Sequence, residues 1–136
     1  MMNIAENTLS SKATKVLYIE DNLVNTRLIE KSLKVMGYEL ITAQDGGEGL
    51  IKANQELPDI ILLDVNLPSI DGITVLRSLK ANPATKDIRI IMYTTEDDIN
   101  MQHTCKEYGA DAFLSKFSGL SKLLRVLQMM VPAPEL

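Results

Sequence analysis

A single cysteine among 136 residues excludes an internal disulfide framework and any zinc site built from several thiolates. Basic charge is also scarce. Fourteen Lys and Arg stand against eighteen Asp and Glu, a formal net charge of −4, whereas a sequence-independent nucleic-acid binder carries a basic surface. No apolar run approaches the ~20 residues that a membrane-spanning helix needs. The opening MMNIAENTLSSKATK has neither the basic start nor the apolar stretch of a secretory signal. Internal linkers, repeats and low-complexity stretches are missing as well. The length suffices for one well-buried core and not for two ordinary domains. These absences predict one acidic, soluble, cytoplasmic domain with neither nucleic acid nor membrane as partner.

What is present alternates between two hydrophobic periods. Val16–Ile19, Ile60–Leu63, Ile88–Tyr93 and Ala112–Leu114 are short, nearly continuous apolar runs, which suit strands covered on both faces of a parallel sheet. Tyr38–Ala43 alternates and reads as an edge strand. Between these runs lie five stretches of helical spacing, Leu23–Met36, Gly47–Leu57, Ile73–Ala81, Asp98–Tyr108 and Leu120–Val131. Strands alternating with helices of this length predict an α/β fold, a doubly wound parallel sheet of five βα units. The expected boundaries are a flexible N-terminal tail over residues 1–14, the domain over 15–131 and a short C-terminal tail over 132–136.

In such a sheet, ligands bind outside the carboxyl ends of the strands. The first strand runs into Glu20 and Asp21, and the third ends at Asp64. The fourth ends at Thr94 and Thr95, and the fifth at Ser115 and Lys116. Three carboxylates, a hydroxyl and an ammonium are thus expected at one edge of the fold. Like charges so close repel unless a cation sits among them, and oxygen ligands of this kind suit Mg²⁺. Taken singly, each acidic residue is more simply a loop former or helix cap, and Asp21 could cap the helix that follows it. All five at strand ends are poorly explained that way.

The stretches VLYIEDN (Val16–Asn22), PDIILLDVNLPSIDG (Pro58–Gly72), IIMYTT (Ile90–Thr95) and GADAFLSK (Gly109–Lys116), in that order, form a specific set. With them the chain resembles the receiver domains of two-component response regulators from about Lys15 to Val131. The resemblance implies a flavodoxin-like fold with strand order 2-1-3-4-5. It implies that Asp64 is the phosphoacceptor, which attacks the phosphorus of a kinase phosphohistidine. Asp21 and Asp64 would ligate Mg²⁺ together with the backbone carbonyl of Asn66, and Glu20 would hold a metal-bound water. Thr94 would bond one phosphoryl oxygen and Lys116 another, and Phe113 would be the aromatic switch partner of Thr94. Asn66 and Glu96 match the positions that tune phosphoryl lifetime, the pair found in the fast-cycling chemotaxis receiver. The implied partners are a sensor histidine kinase or phosphotransfer protein, and a downstream protein or second copy on the face of the fourth helix, fifth strand and fifth helix. Such a module catalyses its own phosphorylation and dephosphorylation and turns over no external substrate.

The logic of phosphoryl transfer fits these roles independently: it needs an in-line nucleophile and neutralisation of the equatorial oxygens rather than covalent help. Two positions depart from the family. Phe117 follows Lys116 where receivers have proline after a cis bond, and a cis bond before a non-proline residue costs ~3 kcal/mol, which favours trans and a different loop. Thr95 stands where alanine is usual and would narrow access to the site. His103, the one histidine, falls opposite Met101, Cys105 and Tyr108 and is expected in solvent; Asp97 and Asp98 read as capping residues. On the last helix, Leu120, Leu123, Leu124, Leu127 and Val131 share a core-facing sector, with Val126 and Met129 on the solvated side. With no effector domain after Leu136, the output is expected to act in trans.

Other readings are a pseudo-receiver or a receiver fragment of a hybrid kinase acting as a binding module, and an aspartyl-phosphate phosphatase of the haloacid-dehalogenase type. The last needs its nucleophile on the first strand and an Asp two residues later, where this chain has Asn66 after Asp64. A flavodoxin-like cofactor carrier would need a Gly- or hydroxyl-rich first loop, and EDNLVNT is acidic.

Overall fold

The computed structural model describes residues 13–133. Five strands alternate with five helices: β1 (Thr14–Ile19), α1 (Leu23–Val35), β2 (Tyr38–Ala43), α2 (Gly46–Glu56), β3 (Ile60–Leu63), α3 (Gly72–Ala81), β4 (Arg89–Thr94), α4 (Ile99–Glu107), β5 (Ala112–Ser115) and α5 (Leu120–Met130). The strands form one parallel sheet in the order 2-1-3-4-5. This is the doubly wound flavodoxin-like architecture that periodicity and resemblance predicted.

Both sheet faces are buried, which is why the central strands carry unbroken apolar runs. Leu17, Ile19, Ile61 and Leu63 point into one core with Ala53, Val75, Leu76, Leu79 and Cys105, under α2, α3 and α4. Val16, Tyr18, Ile60 and Leu62 point into the other with Ile29, Leu33, Leu123 and Leu127, under α1 and α5. At the bottom of the sheet, Asp59 and Asp111 accept the backbone N–H groups of Lys15 at 2.7 Å and Ile90 at 2.8 Å, and so tie the starts of neighbouring strands together.

Short polar side chains open four of the helices. Asn22 caps α1, accepting from Val24 and Asn25, while Asp45, Asp71 and Asp98 cap α2, α3 and α4. The capping role weighed for Asp21 therefore belongs to Asn22. The strand starts earlier than its apolar run because Thr14 pairs with Tyr38 through the backbone. Of the expected tails, residues 1–12 and 134–136 lie outside the described residues, while Pro132 accepts a hydrogen bond from the Thr14 hydroxyl at 3.4 Å and Ala133 packs against the α1–α5 core. No helix among the described residues is long and apolar enough to cross a membrane.

Two expectations on orientation need correcting. Helical phase sets Tyr108 with Cys105, opposite the solvated His103, yet Tyr108 is 39% exposed at the helix end, where the Arg77 guanidinium lies 4.7 Å from its ring centroid. A cation over an aromatic face holds the ring at the surface. Val126 is half-buried against the α1–α5 core rather than solvated; of the expected outward pair only Met129, 78% exposed, faces water. His103 is exposed, as its helical phase required.

Candidate functional site

The chemistry-bearing residues end or directly follow the strands, whose register aligns their ends. Ile19 pairs with Leu63, Leu63 with Met92, and Thr94 with Ser115. Glu20, Asp64, Thr94 and Lys116 therefore emerge side by side at the carboxyl edge. Glu20 is anchored by its N–H on the Ala43 carbonyl at 2.9 Å, and Asp64 by its N–H on the Ile19 carbonyl at 3.3 Å. Burial is deep, with Glu20 3%, Asp64 4% and Thr94 0% exposed.

Lys116 sits between the two carboxylates. Its ammonium bonds Asp64 Oδ2 at 2.7 Å and makes a short contact with Glu20 Oε1. The other Asp64 oxygen, Oδ1, accepts the backbone N–H of Asn66 at 3.1 Å. Burial pulls the Lys116 ammonium toward the neutral form, but the hydrogen bonds and charges of Asp64 and Glu20 outweigh it and hold the group above the usual lysine range. Thr94 Oγ1 accepts the backbone N–H of Glu96 at 3.1 Å, which leaves its own proton available to an incoming acceptor. Asn66 and Glu96 are themselves exposed, each two residues from the group its N–H grips.

Asp21 stands apart from this ion-pair cluster. It is exposed in the loop after Glu20, and its carboxylate bonds no other described residue. Among the described residues no three His, Cys, Asp or Glu side chains are gathered into a metal cage. Mg²⁺ does not need one, since it commonly takes one or two carboxylates and keeps several waters. The side-chain donors that the strand ends offer are all oxygen: Asp64, with one protein hydrogen bond on each carboxylate oxygen, and the solvent-facing Asp21. That chemistry fits a hard divalent cation.

No peptide bond among the described residues is cis, so Lys116–Phe117 is trans, and Lys116–Ser118 form a 3₁₀ turn that no apolar pattern announced. Ser115 Oγ accepts the Phe117 N–H at 3.0 Å and donates to Asp97 Oδ2 at 2.7 Å, linking the loop after β4 to the end of β5. Asp97 thus ties two loops together rather than capping α4. Phe113 is half-buried on β5 and lines a groove with Ile99, Gln102 and His103 of α4. Two residues escaped the sequence reading. Tyr18, fully buried, donates its hydroxyl to Glu20 Oε1 at 3.1 Å, and Tyr93 lies with its ring centroid 6.4 Å from that of Tyr18. Strand alternation, which puts residues 18 and 20 on one face, was the available signal.

A model of the response regulator receiver domain matches residues 16–128. Response regulator PleD of Caulobacter vibrioides is 41% identical over 104 residues, which cover 76% of this chain and 23% of PleD. The chain therefore spans under a quarter of that relative's length. Chemotaxis protein CheY4 of Vibrio cholerae shares the fold with a TM-score of 0.82 at 32% identity, over 88% of this chain and 100% of the other. The receiver domain of sensor histidine kinase PA1611 from Pseudomonas aeruginosa, solved with a magnesium ion coordinated in its active site cleft, gives a TM-score of 0.79 at 29% identity, over 88% and 98%. With this match from β1 into α5, and with a buried aspartate and threonine and a half-buried lysine at the carboxyl edge of the sheet, the chain belongs to the receiver domains of two-component response regulators.

Proposed function

We propose that Asp64 accepts a phosphoryl group from the phosphohistidine of a sensor kinase or phosphotransfer protein, and that the chain signals in the cytoplasm through its state of phosphorylation. One observation carries the reading. Asp64 is the carboxylate that ends the central strand with one oxygen on Lys116 Nζ and Thr94 at the end of the adjacent strand. In the transfer, an Asp64 oxygen bonds to phosphorus as the P–N bond breaks, its electron pair staying on the imidazole nitrogen. Lys116 turns from the carboxylate to a phosphoryl oxygen, and the Thr94 hydroxyl donates to another. Asp21, Asp64 and the Asn66 carbonyl would hold Mg²⁺, with Glu20 acting through a water. When bound, the metal supplies further neutralisation of the phosphoryl oxygens. The chain modifies only itself and turns over no separate substrate. Intact mass after incubation with acetyl phosphate and Mg²⁺ tests the assignment: one added phosphoryl group on the wild type and none on Asp64→Asn. Equal labelling of both would sink it.

The output surface is α4, β5 and α5. As Thr94 moves toward the new phosphoryl group it leaves space into which Phe113 turns, and the groove between Phe113 and α4 changes shape. Phe117, 77% exposed, and Met129 give this side apolar points for a partner or a symmetric second copy. A chemical-shift map with and without beryllofluoride checks it. Shifts confined to the loops around Asp64, with α5 and Phe117 silent, remove this face as the output.

A further inference from the structure

Glu20 holds three hydrogen-bond donors although almost no water reaches it. The backbone N–H of Asn22 donates to Oε2 at 3.1 Å, while the Tyr18 hydroxyl and the Lys116 ammonium share Oε1. Only Lys116 is also engaged elsewhere, at Asp64. Packing alone does not fix that lysine. The residue after it, Phe117, is exposed, and Lys116 borders a cavity of about 190 Å³ shared with Tyr18, Asn25, Leu28 and Tyr93. The ammonium also lies 5.9 Å from the Tyr93 ring centroid, at the outer reach of a cation–π contact. Its place is therefore set chiefly by the two carboxylates it bonds. Tyr18 borders the same cavity but is far more confined, being 0% exposed within the core of Val16, Ile29, Leu62 and Leu123.

We propose that Tyr18 is a positioning residue, whose hydroxyl keeps the Glu20 carboxylate in place for the divalent cation, both while Lys116 shares Oε1 and after Lys116 leaves it for the phosphoryl group. The inference rests on the reading of Glu20 as the holder of a metal-bound water. A buried carboxylate deprived of its ammonium either keeps another donor or swings after the departing lysine. The rigid phenol supplies that donor on the same oxygen. With phenylalanine at position 18 the volume is kept, Oε1 has Lys116 alone, and Glu20 follows the lysine rather than facing the metal.

The test compares Tyr18→Phe with the wild-type chain in Mg²⁺ affinity, read from amide shifts of the loops around Asp64, and in labelling by phosphoramidate. Loss of one hydrogen bond to a charged group predicts about tenfold weaker Mg²⁺ binding. The labelling rate should fall by the same factor at limiting Mg²⁺ and recover at high Mg²⁺, a split that a purely structural lesion does not produce. A second measurement needs no variant: in wild-type chain carrying ¹³Cζ-tyrosine, Mg²⁺ alone should shift the Tyr18 resonance. Wild-type Mg²⁺ affinity in Tyr18→Phe, or a silent Tyr18 signal, overturns the proposal. Failure of the wild type to be labelled on Asp64 refutes the phosphoacceptor reading instead, and the Mg²⁺ titrations still decide the role of Tyr18.

Discussion

Gly72→Ala should damage the fold and the loop after Asp64 together. Gly72 is the first residue of α3, is buried, and donates its N–H to the Val65 carbonyl at 2.8 Å. A β-carbon there would lie 2.0 Å from the carbonyl oxygen of Asp64, 2.7 Å from Val65 Cα and 2.8 Å from the Asp64 carbonyl carbon. All three are backbone atoms, so no rotamer change relieves the contact. Ordinary contact begins at 3.4 Å, and the helix and the loop must therefore part by more than an ångström. That movement breaks the hydrogen bond to Val65 and opens a seam directly behind Asp64. The higher helix propensity of alanine returns at most about 1 kcal/mol. Against it stand roughly 3 kcal/mol of overpacking against rigid atoms and about 1 kcal/mol for the lost hydrogen bond. The expected net loss is about 3 kcal/mol, a fall of roughly 10 °C in the melting temperature of a domain this size. Far-ultraviolet circular dichroism during heating reads the stability, and phosphodonor labelling at low temperature reads the site. A variant that melts with the wild type and is labelled at the same rate would refute the reasoning.

Lys116→Met leaves two buried carboxylates without their ammonium; with side chains only 14%, 2% and 6% exposed at Lys116, Glu20 and Asp64 there is little solvent screening, so denaturant unfolding should show a loss of about 3 kcal/mol. Because the folded protein raises the lysine above its unfolded range, the stabilisation is complete at neutral pH and fades only as pH climbs through the raised alkaline value; a wild-type-minus-variant stability difference that fell away near neutrality would contradict this. Asp21→Ala should weaken Mg²⁺ binding strongly in an amide-shift titration while leaving the melting temperature unchanged, since Asp21 is exposed and Asn22 caps α1. Glu20→Gln should weaken it less, and labelling that survives EDTA would contradict the metal role. The aspartyl phosphate should be short-lived, with Asn66 and Glu96 beside the site and Thr95 slowing attack by water somewhat; a phosphorylated state stable for many hours at neutral pH would count against it.

How far the sequence carried depends on which forces are local. β3 was legible to the residue because four consecutive apolar side chains buried on both faces leave little choice, and α1 stops where Gly37 takes a φ of 92°. The strand ends located Glu20, Asp64, Thr94 and Lys116 for the same reason. What could not be read is pairing at a distance. Lys116 and Glu20 are separated by 96 positions, and nothing in the sequence says that one ammonium serves two carboxylates. Nor does it say that Asp21, beside Glu20, stands outside that contact. The turn over Lys116–Ser118 is held by a side chain accepting a backbone N–H, which leaves no periodic trace. Tyr108 and Val126 were misjudged because ideal helical phase ignores neighbours: Arg77 of α3 draws the first outward, and the α1–α5 core takes in the second.

The one cysteine gives the fold a built-in clock. Cys105 is fully buried on the inner side of α4, and burial pushes its thiol up to about 11. At neutral pH only about one molecule in ten thousand then carries a thiolate in the closed state. Alkylation accordingly waits for α4 to lift from the sheet, and the rate of thiol capture measures how often it does so. Since α4 also borders the groove beside Phe113, the same thiol reports whether changes at Asp64 loosen or tighten the helix. A dye attached to a cysteine engineered on the surface can be used alongside it, because the native sulfur stays silent on the labelling timescale.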